Sequence, residues 1–271
     1  MHTLETSDVP ADHRAFVLDT ENLPLSRASF DDGWTTTRDE AGGPIHWPVR
    51  QGATVTISDV GDWDGGRVDL RLSLVAYNGG NIGQLNHFDA SGNVVSDGTL
   101  WINTDWGDTA PQATRAGLGD VDTTKRVGCT WKATFVRPDG TPLPDTFKGV
   151  TGFNDLDGWD PIPSWAFEGV RLGDGFDGAY LLKDAEIATY GVNGFAGWKR
   201  DSGSESDPDG AVQSRHRLSA TWSGPSFTFS YELNNPPGRQ AGSHMTFGAP
   251  VTLLHPLVYD PNGGTGNVPG R

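Results

Sequence analysis

The chain has 271 residues, with 35 acidic against 20 basic side chains and a formal net charge of −15. A field of that sign repels a phosphate backbone, so no nucleic-acid partner is expected, and no stretch approaches the roughly 20 apolar residues of a membrane helix, so no membrane insertion is expected either. With 37 glycines and 18 prolines the chain is broken too often for long helices, which leaves an acidic, loop-rich β protein.

In chain order, the first 44 residues carry no sustained pattern and read as an N-terminal extension packing on the β domain, with at most a turn of helix at Thr20 to Leu25. Ala53 to Ile57 alternates apolar and polar residues. Val68, Leu70, Leu72, Leu74 and Ala76 then make one apolar face, with Asp69, Arg71 and Ser73 on the other. Leu100 to Thr104 continues the pattern. Val127 to Phe135 comes next, where Cys129 points with Trp131, Ala133 and Phe135 toward a core. Phe147 to Phe153, Leu218 to Trp222, Phe227 to Leu233 and Val251 to Leu254 complete the series, and Leu181 to Ile187 offers one short helical turn. Period-two alternation with one polar face indicates antiparallel sheets that bury one side only.

Asp89 to Asn93 and Pro138 to Thr141 read as hairpin tips, because each carries a glycine free to take positive φ. The stretches 106–126 and 197–217 read as long loops. No repeat and no break in composition divides the chain. The expected architecture is all-β: one antiparallel β-sandwich of lectin-like or jelly-roll type over residues 1–258, with long loops and little helix. Residues 259–271 read as a Gly/Pro/Asn-rich linker or tail. The single cysteine, Cys129, excludes an internal disulfide and a thiolate zinc cluster. The N-terminus lacks the charged and apolar regions of a signal peptide, so the chain is either cytoplasmic or the mature segment of a longer exported protein.

Of the 35 acidic residues 28 are Asp and 7 are Glu, which places acid in turns rather than helices. Tryptophan sits among aspartates three times: Asp62-Trp63-Asp64, Asp105-Trp106-Gly-Asp108, and Asp157-Gly-Trp159-Asp160. An indole in such a loop offers a flat apolar face to a sugar ring, and flanking carboxylates accept hydrogen bonds from hydroxyls. Trp63, Trp106 and Trp159, with Asp62, Asp64 and Asp108, are therefore the candidate ligand-binding residues; the competing reading is an aromatic lid on the core. Asp155, Asp157, Asp160 and Glu168 are the candidate calcium ligands, since calcium takes about six to eight oxygens from such a cluster. A series of Asx turns capping a strand explains the same residues. No catalytic residues are assigned. A carboxylate pair for sugar cleavage is easily found in so acidic a chain, and no nucleophile elbow, phosphate-binding loop or paired-histidine metal motif is present.

Three stretches carry a resemblance. The segment from Val60 to Leu72 resembles the glycine-turn and Val-Asp-Leu element of β-sandwich domains in Gram-positive surface adhesins. Phe147 to Asp157, followed by Glu168-Gly-Val170, is similar to their aromatic–Asp–aliphatic–Asp and Glu-Gly signature. Ser219 to Tyr231 is similar to their closing strands. The similarity spans roughly residues 45 to 255, and the loops 106–126 and 197–217 are longer than it predicts. It implies a lectin-like ligand-binding sandwich displayed outside the cell, attached to the surface as a monomeric domain of a longer chain. By position it makes Asp155, Asp157 and Glu168 the acidic site. The resulting expectation is a non-enzymatic adhesion module for a glycan or a glycosylated host or environmental surface protein, with calcium as possible cofactor. The alternatives are a glycoside hydrolase on the same sandwich, or a structural surface domain.

Overall fold

The computed structural model of the chain describes residues 2–4, 9–18, 25–38, 44–78, 84–88, 94–95, 99–105, 127–154, 156, 158–159, 166–197, 215–234, 242–243 and 246–247. In chain order the strands are β1 (His2–Leu4), β2 (Ala28–Phe30), β3 (Trp34–Arg38), β4 (Pro44–Pro48), β5 (Thr54–Trp63), β6 (Gly66–Asn78) and β7 (Gln84–Phe88). They continue with β8 (Val94–Val95), β9 (Thr99–Asp105), β10 (Val127–Val136), β11 (Lys148–Asn154), β12 (Gly158–Trp159), β13 (Ala166–Leu172) and β14 (Phe176–Leu182). The last six are β15 (Ile187–Tyr190), β16 (Gly194–Gly197), β17 (Leu218–Ser223), β18 (Ser226–Asn234), β19 (Gly242–Ser243) and β20 (Thr246–Phe247).

Among the described residues these strands form two sheets. One has 11 strands, ordered β1-β14-β17-β11-β20-β9-β7-β4-β3, with β8 beside β7 and β19 beside β9; the other has 9, ordered β15-β16-β13-β18-β10-β6-β5-β2, with β12 beside β13. Pairing is antiparallel except where β1 runs parallel to β14 and Val17 bridges Val150. The expected all-β sandwich is thus the observed architecture, and every apolar alternation read from the described sequence is a strand.

The inward faces meet in an aromatic core. Phe135 of β10 stacks on Trp222 of β17 at 5.1 Å and 5°, and Phe16, Phe147 and Phe227 surround the pair. Cys129, Trp131, Ala133 and Phe135 are all buried, as their alternation predicts, and the Trp131 indole N–H donates to the Cys129 sulfur at 3.1 Å. Backbone must approach the rings closely at Gly149, where an added Cβ would lie 2.4 Å from the Trp222 ring.

Several details depart from the sequence pattern. The apolar face of β6 holds from Val68 to Leu74 but not at Ala76. Leu74 opposes Trp131 and Ala76 opposes Thr130, so Val75 is an extra residue that flips the alternation and turns Tyr77 toward the core instead. Pro138 to Thr141 forms the expected turn: Gly140 has φ +88, the Asp139 carboxylate accepts the Thr141 N–H at 2.8 Å, and Arg137 N–H donates to Thr141 C=O. Pairing ends at the Val136–Pro142 bridge, however, and the chain crosses to β11 in the opposite sheet. Leu181 to Ile187 is not helical; it closes β14, turns, and opens β15.

The N-terminal residues do more than pack on a finished sandwich. β1 and β3 are the margins of one sheet and β2 the margin of the other, while Phe16 and Leu18 lie in the shared core. Leu18 N–H donates to Val150 C=O and Val150 N–H to Phe16 C=O, so this stretch pairs with β11 directly. One-sided burial also fails in part. β11 and β17 are buried on both faces, and on the outward side Val9 packs against Val150 and Tyr180. The hairpin tip Asp89 to Asn93, the loop 106–126, residues 198–214 of the second long loop, the strand Val251 to Leu254 and the tail 259–271 lie outside the described residues.

Candidate functional site

Trp63 ends β5 at a two-residue hairpin. Asp64 and Gly65 both take positive φ, +49 and +71, the requirement of a type I′ turn, and Trp63 faces Gly66 across it. An Asp-Gly pair between two alternating runs is the sequence signal for this turn, so Asp64 has a local structural reason to be there. Asp62 and Asp64 are exposed. The Trp63 indole between them is half-buried and meets Phe147 edge-on at 5.4 Å and 84°.

Its other neighbour was not legible in the sequence. The Arg137 guanidinium lies 5.5 Å from the Trp63 ring centroid, within cation–π range. Through Nη1 it also donates to the carbonyls of Trp63 at 2.9 Å and Gly66 at 2.6 Å. Arg137 stands just before the Pro138 turn, more than 70 residues from the hairpin it holds; only the β6–β10 pairing brings the two together. Trp63 is therefore an anchored ring, rigidly placed at the rim of the core beside two exposed carboxylates.

Trp159 lies in β12, opposite Ala166 of β13. Glu168 is the third residue of β13 and is 4% exposed. It shares the parity of Val170 and Leu172, so it belongs to the core-facing side of its strand. Trp106, Asp108, Asp155, Asp157 and Asp160 lie outside the described residues. Among the described residues no three His, Cys, Asp or Glu side chains gather as a metal site.

What the structure adds at Leu156 is basic. Leu156 N–H donates to His216 C=O, and His216 Nδ1 lies 3.3 Å from Leu156 C=O. His216 is 2% exposed, and its Nε2 lies 3.6 Å from Glu186, to which Arg215 donates at 3.4 Å. The run Arg215-His216-Arg217 thus meets Leu156, whose neighbours Asp155 and Asp157 lie outside the described residues. Nothing local marks His216 for this position, since its neighbours come from residues 156 and 186.

A further indole stands away from the core. Trp47 of β4 opposes Thr35 of β3 and donates its N–H to Thr37 Oγ1 at 2.7 Å. Trp34, on the alternate side of β3, stacks on Trp131 within the sandwich, so Trp47, Thr35 and Thr37 occupy the outward face. Thr35 and Thr37 are exposed and Trp47 is half-buried.

No protein-family model matches this sequence, and no curated protein matches it. The fold does match solved structures. The N-terminal domain of the Streptococcus gordonii adhesin Sgo0707 aligns with a TM-score of 0.52 at 10% identity, over 88% of this chain and 61% of that one; the chain thus spans about three fifths of that domain. Glucan binding protein C of Streptococcus mutans aligns with a TM-score of 0.50 at 12% identity, over 88% and 77%. The adhesin domain of PrgB from Enterococcus faecalis, solved bound to DNA, aligns with a TM-score of 0.48 at 13% identity, over 91% and 94%. The chain has the fold of the first two of these proteins.

Proposed function

We propose that the chain is an extracellular adhesion domain, surface-attached and non-enzymatic, that recognises a glycan or a glycosylated surface protein. The observation that carries this reading is the fold shared with an adhesin N-terminal domain and with a glucan-binding protein. Anchored indoles support it: Trp63 beside exposed Asp62 and Asp64, and Trp47 beside exposed Thr35 and Thr37, offer ring surface next to hydroxyl-binding groups. Trp106 with Asp108, and Trp159, complete the candidate set. Asp155, Asp157, Asp160 and Glu168 remain the residues that would hold calcium. The shortage of positive charge argues against a nucleic-acid partner.

A glycan array probed with and without chelator tests the reading. Binding to a defined saccharide class is expected, weakened at least tenfold in Trp47→Ala, Trp63→Ala, Trp106→Ala or Trp159→Ala, with duplex DNA as a parallel arm. No binding to any glycan or glycoprotein sinks the proposal, as would tight binding to the DNA alone. A melting temperature indifferent to both calcium and chelator removes the calcium part.

A further inference from the structure

We propose that the outward face of β5, β6, β10 and β18 is a second binding surface, and that its ligand is a glycan with sparse carboxylates, one acidic sugar among neutral ones. The inference goes beyond the indole sites. Among the described candidates Trp47 belongs to the other sheet, Trp63 packs on the core and Trp159 lies in β12.

With Val55, Leu72, Trp131 and Phe229 turned inward, the alternate residues of these strands face out, and the register aligns them in rows. One row runs Thr56, Arg71, Thr134, Ser226; the next runs Thr54, Ser73, Lys132, Thr228. Every one of these residues is half-buried or exposed. Neither row contains a carboxylate, in a chain whose acidic residues outnumber its basic ones by 35 to 20. Each row instead carries one cation among hydroxyls. Arg71 and Lys132 lie diagonally across β6 and β10, a spacing of about 7 to 8 Å. Among the described residues neither cation forms an ion pair.

The nearest carboxylates at the border are mostly engaged elsewhere. Asp69 accepts the Asp59 N–H at 2.9 Å, Asp31 accepts the amides of Gly33 and Thr54, and Glu232 is held by Arg171 and Tyr190. Asp174, beside Thr228, is exposed. The hydroxyls are ordered: Ser73 and Thr54 are bonded at 2.8 Å, and Thr54 passes its own proton to Gly52 C=O. Thr228 Oγ1 accepts the Asp174 N–H and keeps its proton to donate outward.

This chemistry selects the ligand. Charges more than about 8 Å away are screened at physiological ionic strength, so an anion on the rows meets Arg71 and Lys132 rather than the net −15. Duplex DNA carries a charge about every 1.7 Å, and two cations leave most of them unanswered. The rows offer no large apolar side chain to a protein partner. A glycan with spaced carboxylates fits both features: its acid groups meet the two cations, and its hydroxyls exchange hydrogen bonds with the threonines and serines.

The test uses the full chain at physiological ionic strength. The probes are a hyaluronan oligosaccharide, in which uronate and neutral sugar alternate, an uncharged chitin oligosaccharide of equal length, and duplex DNA. Hyaluronan should bind, with amide shift changes concentrated on β6 and β10, and the chitin oligosaccharide at least about tenfold more weakly. Lys132→Gln and Arg71→Gln should each weaken hyaluronan binding about threefold. Thr134→Lys, which adds a cation beside Arg71, should strengthen it about threefold, and Lys183→Gln, exposed but off this face, should leave it unchanged. Trp47→Ala and Trp63→Ala should also leave it unchanged; loss in either assigns the glycan to the indoles and overturns the proposal. So does absence of hyaluronan binding, equal binding of the uncharged oligosaccharide, tighter binding of DNA, or an equal loss in Lys183→Gln. Shift changes in the wild type that avoid β6 and β10 overturn it without any variant.

Discussion

Strands β10 and β17 read alike in sequence and are buried differently. In β10 the inward Cys129, Trp131, Ala133 and Phe135 alternate with Thr130, Lys132 and Thr134, and the latter three stay half or fully exposed. In β17 the inward Leu218, Ala220 and Trp222 alternate with Ser219 and Thr221, yet those two are 0% and 1% exposed. The difference lies outside both strands. Thr221 sits between Val150 of β11 and Gly178 of β14, under the segment that brings Val9 onto Val150 and Tyr180. Alternation therefore reports which residues face inward. It does not report whether the other face meets water, because a small hydroxyl residue is compatible with either.

The inward faces should prove equivalent, and this carries the largest effect. Trp131→Ala and Trp222→Ala should each lose about 3 to 5 kcal/mol in denaturant unfolding, as emptied sites for large buried rings. A loss below about 1 kcal/mol at either would break the equivalence. The outward faces should then separate the two strands. Thr221→Lys places an unpaired charge under the N-terminal segment and should lose about 3 kcal/mol, whereas Thr134→Lys on β10 should stay within about 0.5 kcal/mol. Equal losses at the two threonines would mean that the segment does not cover β17 in solution.

Thinning the cover should cost less. Val9→Ala removes two buried methyl-sized groups, worth about 1.5 kcal/mol at about 0.8 kcal/mol each, and should raise amide exchange across Val9 to Arg14 more than in β10. The smallest effect is at acid pH. Hydrogen bonds from Lys148 and His13 pull the Asp12 carboxylate down to about 2 from its ordinary 3.8. The folded state favours the ionised form, so this contribution is whole above about pH 4 and is lost as pH falls through about 2. Limited proteolysis of the N-terminal segment should rise over that window in the wild type, and Asp12→Asn should abolish the rise.

The candidate site is legible in the sequence to different depths. Trp63, Asp62 and Asp64 stand out because Asp-Trp-Asp-Gly-Gly is unusual, and Asp-Gly also encodes the turn that presents them. Trp47 lacks flanking aspartates and draws no notice, and its orientation depends on which side of β3 faces Trp131. Arg137 and His216 carry no local signal. An isolated arginine before a turn, or a histidine between arginines, acquires meaning only from strands that arrive from about 70 or 60 residues away. Burial of Glu168 is likewise hidden, since glutamate in a strand ordinarily points to solvent.

By itself the sequence determined the class of structure. Period-two alternation set the inward faces of β5, β6, β10, β17 and β18, glycine and proline ruled out long helices, and the turn residues placed the turn at 138–141. These are properties of a few consecutive residues, and local sterics decide them. Tertiary structure alone decided how the strands are ordered into two sheets, which polar faces are covered, and which charges meet. The pairs that matter most, Asp12 with Lys148 and His13 with Asp177, are separated by 136 and 164 residues. Contacts at such distances are selected by the packing of the whole chain, and no short stretch of sequence encodes them.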